Sequence, residues 1–362
     1  MSVEIQRVDH VELYAGDTRQ TTFYLCNAFG FEVLGQGEVS GQHSVLLGQG
    51  EIRLLLTSGQ PAAGFVRRHG DGVATIGMQT DDAEKAFAEA VRRGAQPVEP
   101  PRTWRGQDGP DVITASVAGF GNVNHRFTQR HEGAAAFLPG AIGQTDPGPE
   151  SLLRTVDHFA MIVPAGELAA AVAFYQRVFG FAQIFEELVE IGAQAMDSTV
   201  VQDPGGTVTL TIIAPDPTRQ PGQIDDFLSS YEGAGVQHIA FSTAEIATAV
   251  TAFTERGVRF LSTPPSYYDG IERRLGTVGM PVDRLRAGNI LVDRDHWGEM
   301  FQIFTESPFA RRTLFFELIE RHGALTFGNN NIRALYEAKE RERAHADNGL
   351  HADRHGAVAA SL

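Results

Sequence analysis

The chain has 362 residues, room for about two ordinary domains, and its 42% hydrophobic content suffices for a sizeable core in each. A formal charge of −15 argues against nucleic acid or an anionic membrane as partner, since both need clustered Lys and Arg, and leaves any acidic substrate to be held by local chemistry. The single cysteine, Cys26, precludes an intrachain disulfide and fits a reducing cytoplasm; inside an apolar helical run it reads as packing, not as a nucleophile.

Residues 1–10 have neither a basic n-region nor an apolar h-region, so no signal peptide is expected, and no apolar stretch approaches bilayer-spanning length. Val8 to Ala15 alternates as a strand, and Thr18 to Asn27 follows as a helix ended by Gly30. Strands are predicted at His43 to Leu47 and Glu51 to Thr57 around a Gly48-Gln49-Gly50 turn. Next come a strand at Val73 to Gln79, a helix at Asp82 to Arg93 closed by Gly94, and strands near Val112 to Ala118 and His125 to Gln129.

The stretch Leu138 to Leu153, rich in Gly and Pro, reads as a linker, and beyond it nearly the same text returns. Val8-Asp9-His10, Phe23-Tyr24 and Phe29-Gly30-Phe31 recur as Val156-Asp157-His158, Phe174-Tyr175 and Phe179-Gly180-Phe181. Gly70-Asp71-Gly72-Val73-Ala74-Thr75-Ile76 recurs as Gly233-Ala234-Gly235-Val236-Gln237-His238-Ile239. A strand at Ile239 to Phe241, a helix at Ala244 to Arg256, Gly257 and a strand at Phe301 to Thr305 complete the second copy.

Only this copy continues, through an apolar strand around Glu317 and a helix from Asn331 to about His345. The expectation is an α+β chain of tandem βαβββ modules: a structural domain without metal at 1–137, a linker at 138–153, a catalytic domain with a closing helix at 154–346, and a disordered tail at 347–362.

The two copies differ in chemistry. The repeat superposes His158 on His10 but His238 on Thr75, and the first copy has no counterpart of Phe315-Phe316-Glu317. Two imidazoles and one carboxylate on one face of an ion are the donor set of non-haem Fe(II) oxygenases, with positions left open for an organic ligand and dioxygen. His158, His238 and Glu317 are far apart in sequence, each in a predicted strand, which suits a cupped sheet that gathers strands. A carboxylate in so apolar a strand is costly unless bound to metal or paired, and Arg312 and Arg321 are the alternative partners for Glu317.

At these residues the chain resembles the 4-hydroxyphenylpyruvate dioxygenase and 4-hydroxymandelate synthase family, which is built from vicinal-oxygen-chelate (glyoxalase-like) modules. The resemblance runs from Asp9 to about Arg343 and is most specific at 233–240, 301–305, 315–323 and 331–338. It implies two pseudo-repeated domains, each a cupped mixed-sheet barrel, with Fe(II) held by His158, His238 and Glu317. It also implies that 4-hydroxyphenylpyruvate chelates the iron through its 2-oxo acid, reacts with O2 and loses CO2. Attack on the ring carbon then gives homogentisate, and attack on the benzylic carbon gives 4-hydroxymandelate.

Two departures from the dioxygenase pattern bear on that choice. Where dioxygenases typically read Pro-x-Asn-Glu-Pro, this chain has Thr211-Ile212-Ile213-Ala214-Pro215, and strand alternation puts Thr211 and Ile213 on one face. Where they usually read Gly-Asn-Phe, it has Asn330-Asn331-Ile332, so an isoleucine replaces a ring that would pack on the substrate. Both match the mandelate-synthase pattern, as does Ala193-Gln194-Ala195-Met196 ahead of Ser198.

The resemblance further implies substrate contacts from Ser198, Gln223, Gln302, Phe304 and Asn331 beside Thr211, Ile213 and Ile332, with metal-centred chemistry and no separate acid or base. A cytoplasmic enzyme of arylglycine antibiotic biosynthesis, with a homodimer left open, is the setting it suggests. A homogentisate-forming dioxygenase with an unusual pocket and a non-enzymatic ligand-sequestering module of the same fold are the other two readings.

Overall fold

The computed structural model describes residues 3–106, 109–131, 136–148, 151–328, 330, 331, 333 and 334. Its first sheet contains β1 (Arg7–Tyr14), β2 (Glu32–Val39), β3 (Gln42–Gln49), β4 (Ile52–Gly59), β5 (Gly72–Gln79), β6 (Pro97–Trp104), β7 (Val112–Ala118) and β8 (Asn124–Arg130), ordered β2-β3-β4-β1-β5-β8-β7-β6. A short ribbon of β9 (Ala136–Leu138) and β10 (Ile142–Gly143) follows.

The second sheet contains β11 (Val156–Ile162), β12 (Ala182–Ile191), β13 (Gln194–Gln202), β14 (Thr209–Pro215), β15 (Gly235–Ser242), β16 (Leu291–Arg294), β17 (Glu299–Phe304) and β18 (Phe315–His322). Its order, β12-β13-β14-β11-β15-β18-β17-β16, repeats the first strand for strand. The chain is therefore two pseudo-repeated glyoxalase-like modules of curled mixed sheet with helices.

Local chemistry sets the elements. In the first half α1 (Thr18–Tyr24) starts where the Asp17 carboxylate accepts from the Arg19 and Gln20 amides, and a π-turn (Leu25–Phe29) ends at Gly30 with φ +76°. Cys26 lies half-buried in that turn. Helices α2 (Ala62–His69) and α3 (Ala83–Arg92) complete this half. The second has α4 (Leu168–Phe179), α5 (Gln223–Tyr231) and α6 (Ile246–Glu255), then three short helices, α7 (Pro265–Tyr268), α8 (Ile271–Leu275) and α9 (Val282–Ala287), ahead of edge strand β16.

Three elements carry weak sequence signals. The ribbon β9–β10 lies against β2, where a Cβ on Gly35 or Gly37 would come within 2.0 Å of the Gly143 or Ala141 carbonyl oxygen. Edge strand β6 contains Pro97, Pro100 and Pro101, which only an edge tolerates because proline donates nothing to a ladder. The short α2 follows Pro61 and has no side-chain cap to announce its start.

The halves pack by exchange. Phe29, at the end of the first half's π-turn, lies on Phe253 of α6 at 5.2 Å and on Phe316 of β18 at 5.4 Å. Phe179, at the same place in the second half, lies on His125 of β8 at 4.9 Å and on Phe127 at 6.0 Å. One core runs through both modules as a result, while smaller apolar clusters on the opposite faces of the two sheets line the concave sides.

Among the described residues no helix is long and apolar enough to cross a membrane. Ile332, most of the helix expected to reach His345, and the tail 347–362 lie outside the described residues.

Candidate metal centre

Strands β11, β15 and β18 are neighbours at the middle of the second sheet. His158 stands opposite Ala240, Ala240 beside Glu317, and Glu317 opposite Phe304, so these side chains form one row on one face. His238 occupies the next row, opposite Ala160. The result brings together three residues spread over 160 positions of sequence: Glu317 Oε2 lies 3.3 Å from His158 Nε2 and 3.3 Å from His238 Nε2. Such spacing is close to the roughly 3 Å edge between ligands set at right angles on an ion with bonds of about 2.1 Å. One donor atom from each residue lies within 4.8 Å of the other two.

All three are buried, at 3%, 9% and 2% exposure for His158, His238 and Glu317. Burial pushes the Glu317 carboxyl up, but the charge of His158 and hydrogen bonds from both imidazoles outweigh it and hold the group below its usual value, as a carboxylate. Burial also opposes charge on His158, yet Glu317 and Asp157 overcome it and raise that imidazole to about 9. On His238 burial prevails, so this ring stays neutral.

Arg321 does not pair with Glu317. Its Nε and Nη2 donate to Asp157 at 2.8 and 2.9 Å, and its Nη1 donates to the Ala324 and Thr326 carbonyls. Arg312 is exposed in the loop before β18, so neither alternative partner reaches the buried carboxylate. Asp157 in turn accepts from His158 Nδ1 at 2.8 Å, which fixes the ring and turns Nε2 toward Glu317. Asp157 is not among the residues expected at the site, although the Asp-His pair occurs in both copies.

In the first half the support and one imidazole survive, and the other two donors do not. Arg130 grips Asp9, Asp9 holds His10 Nδ1 at 2.7 Å, and Phe137 lies edge-on to His10 at 5.1 Å. Phe327 meets His158 in the same way at 5.0 Å. Thr75, however, stands where the second sheet has His238, and Arg126 stands beside Gly77 as Glu317 stands beside Ala240. The Arg126 guanidinium pairs with Glu12 at 3.1 Å and with Glu99 at 3.4 Å.

The remaining predicted residues distribute as follows. Ser198 and Ile213 face each other across β13 and β14, and Thr211 lies beside Ala160 in the row of His238. Among the described residues the buried Thr211 hydroxyl has no partner, and neither do the two amide atoms of Gln302, which sits opposite Ile319 on the Glu317 side. Phe304 meets His238 edge-on at 5.7 Å, while Phe315 stacks on the same ring at 5.0 Å. Asn331 is fully buried. Gln223 differs: at the first position of α5 it is exposed, lining a groove between the halves that also reaches Phe315.

Comparisons with known proteins agree with this geometry. A family model described as the glyoxalase/bleomycin resistance protein/dioxygenase superfamily matches residues 7–109 and 155–303. A solved structure of a triple mutant of 4-hydroxymandelate synthase from Streptomyces coelicolor superposes with a TM-score of 0.84 and 37% identity, over 95% of this chain and 100% of that one. The 4-hydroxyphenylpyruvate dioxygenases of Coccidioides posadasii and Caenorhabditis elegans are each 31% identical, over 93% and 94% of this chain and 92% of their own lengths.

Proposed function

The chain belongs to the glyoxalase/bleomycin resistance protein/dioxygenase superfamily and, within it, to the family of 4-hydroxyphenylpyruvate dioxygenase and 4-hydroxymandelate synthase; from that premise we propose that it is an Fe(II)-dependent 4-hydroxymandelate synthase. In this reaction 4-hydroxyphenylpyruvate and O2 give 4-hydroxymandelate and CO2, one oxygen atom entering the new carboxylate and the other the benzylic hydroxyl. The observation that carries the proposal is the buried His158, His238 and Glu317 cluster, whose carboxylate meets no arginine or lysine among the described residues. Two imidazoles and a carboxylate on one face fit ferrous iron. Bound there, the ion supplies a chelating Lewis acid for the 2-oxo acid and the redox chemistry of dioxygen.

The protein's own groups do the rest. Asp157 holds His158 with Nε2 forward, and burial keeps His238 a neutral donor. Phe304 and Phe315 wall His238 and keep bulk water from its ring. Ser198, Thr211, Gln302 and Asn331 offer polar contacts to the substrate, and Phe304 offers its ring a packing surface. Ile213 in place of an amide leaves the ring free to rest with its benzylic carbon toward the metal, and Ile332 is proposed to act alike. Gln223 is proposed to contact substrate from the groove. The 37% identity to a synthase, against 31% to the dioxygenases, supports the same product.

The domain scheme is proposed on the same basis, with the first half supporting a reaction confined to the second. Its single cysteine is consistent with work in the cytoplasm. Homogentisate formation remains the second reading, favoured by the names of the curated relatives.

The test is a product assay. Fe(II)-loaded protein given 4-hydroxyphenylpyruvate and O2 should yield 4-hydroxymandelate by chromatography, and Thr211→Pro with Ile213→Asn should shift part of the product to homogentisate. Homogentisate as the main wild-type product would overturn the synthase assignment and leave the metal centre standing.

A further inference from the structure

Beneath Gln302 lies a polar network that the metal centre does not use. Tyr267 of α7 is 1% exposed, and its hydroxyl reaches four groups: Asn331 Oδ1 at 2.6 Å, Arg274 Nη2 at 3.0 Å, the Val292 amide at 3.0 Å and the Val292 carbonyl at 3.1 Å. A phenol has one proton to give and two lone pairs to fill. Arg274 and the Val292 amide are obligate donors, and together they fill both lone pairs. The Val292 carbonyl is already served by Arg274 Nη2 at 3.2 Å. The phenol proton therefore goes to its shortest neighbour, Asn331 Oδ1.

That accounting fixes which way the Asn331 amide faces. Turned over, its NH2 would be a third donor on a hydroxyl with no lone pair left. Held as it is, Asn331 Nδ2 is a buried donor without a partner among the described residues. The turn that carries Asn331 packs on a second unfilled amide. Asn331 donates its backbone N–H to Gly328, and a Cβ on Gly328 would come within 2.2 Å of Gln302 Oε1. Gln302 is 0% exposed with both amide atoms unpartnered, and its strand neighbour Leu291 precedes Val292. Two buried, unfilled amides in one place are costly for a fold and useful to a ligand.

We propose that Tyr267 and Arg274 are positioning residues: they lock the Asn331 side chain so that Nδ2 donates to an oxygen of the bound substrate beside Gln302. The inference rests on the synthase assignment for the identity of that substrate. Arg274 contributes twice, through its bond to the Tyr267 hydroxyl and through its guanidinium 4.7 Å over the Tyr267 ring.

Equilibrium binding of 4-hydroxyphenylpyruvate to the anaerobic Fe(II) protein tests the lock. Tyr267→Phe should raise Kd roughly tenfold, the scale of one misdirected hydrogen bond, because Asn331 is then free to turn over. Asn331→Ala should cost about the same, and Tyr267→Phe added to Asn331→Ala should cost nothing more, since it acts only through the missing amide. Where Tyr267→Phe folds poorly, Arg274→Met replaces it and should again raise Kd only while Asn331 is present.

Losses that add in the double variant, or a Tyr267→Phe protein that binds as tightly as wild type, overturn the lock and leave the function intact. A wild type that does not bind the keto acid overturns the function, and the lock falls with it.

Discussion

At the scale of single residues, the second half differs from the first in which groups meet its histidine. Asp9 and Asp157 make the same contacts, to a histidine Nδ1 and to an arginine four positions beyond the Arg126 or Glu317 place. Only Asp157 supports a histidine whose other nitrogen faces a carboxylate. Replacing an outer partner of a ligand histidine typically costs 10–100-fold in metal affinity. Asp157→Asn should therefore weaken Fe(II) or Zn(II) binding by about that factor, measured by competition with a chromophoric chelator, while Asp9→Asn leaves metal affinity unchanged. Equal losses in both variants would mean that Asp157 acts on the fold alone. His238 and Glu317 were legible in the sequence because the first copy has Thr75 and no Phe-Phe-Glu at their places, and His158, unchanged from His10, was recognised as the imidazole that completes their donor set. Asp157 was equally visible and less noticeable because it did not change. Arg321 could be recognised as a candidate partner, but a sequence cannot say which carboxylate an arginine chooses.

At the scale of elements, the repeat gave strand positions well: Val112–Ala118 has its predicted limits, and β5 differs from its predicted range by one residue. What the sequence did not contain was the direction of helix packing. The Phe-Gly-Phe motifs announce two helix ends, and only the fold shows that each ring crosses to the other half's sheet. The register that makes this possible is long-range, and local periodicity carries no trace of it. Phe29 is fully buried among Phe253 and Phe316, and Phe316 is the residue before Glu317. Phe29→Ala should cost about 3–5 kcal/mol by leaving a cavity that the surrounding rings cannot close. Because the cavity opens behind β18, the variant should also lose metal affinity, although Phe29 lies in the half without the triad. Denaturant titration and metal competition on the same protein check both effects. A stability loss with unchanged metal binding would show that β18 is held by its own half.

For the whole molecule, the two exchanged contacts are nearly, but not fully, equivalent. Phe316 stands beside Ile239 as His125 stands beside Ile76, so a histidine occupies in one half the place that a phenylalanine holds in the other. His125 is fully buried between Phe179 and Tyr175, and among the described residues its only polar partner is the Tyr175 hydroxyl, 3.0 Å from Nε2. Burial lowers its pKa from 6.5 to about 3. A depressed pKa on a base means that the unfolded chain takes up the proton first. The stability that His125 contributes is thus fully present above pH 6.5 and is lost as the pH falls toward 3. At pH 5 the unfolded state already binds that proton, and this one group removes about 2 kcal/mol relative to pH 7. His125→Phe restores the ring found in the other half and removes the titration. Its unfolding free energy should fall less between pH 7 and pH 5 than that of the wild type, by about that amount, because every other titrating group is common to both proteins. Urea titrations of metal-free protein at the two pH values measure the difference directly, and parallel pH slopes would mean that water reaches His125 and the seam between the halves is wet.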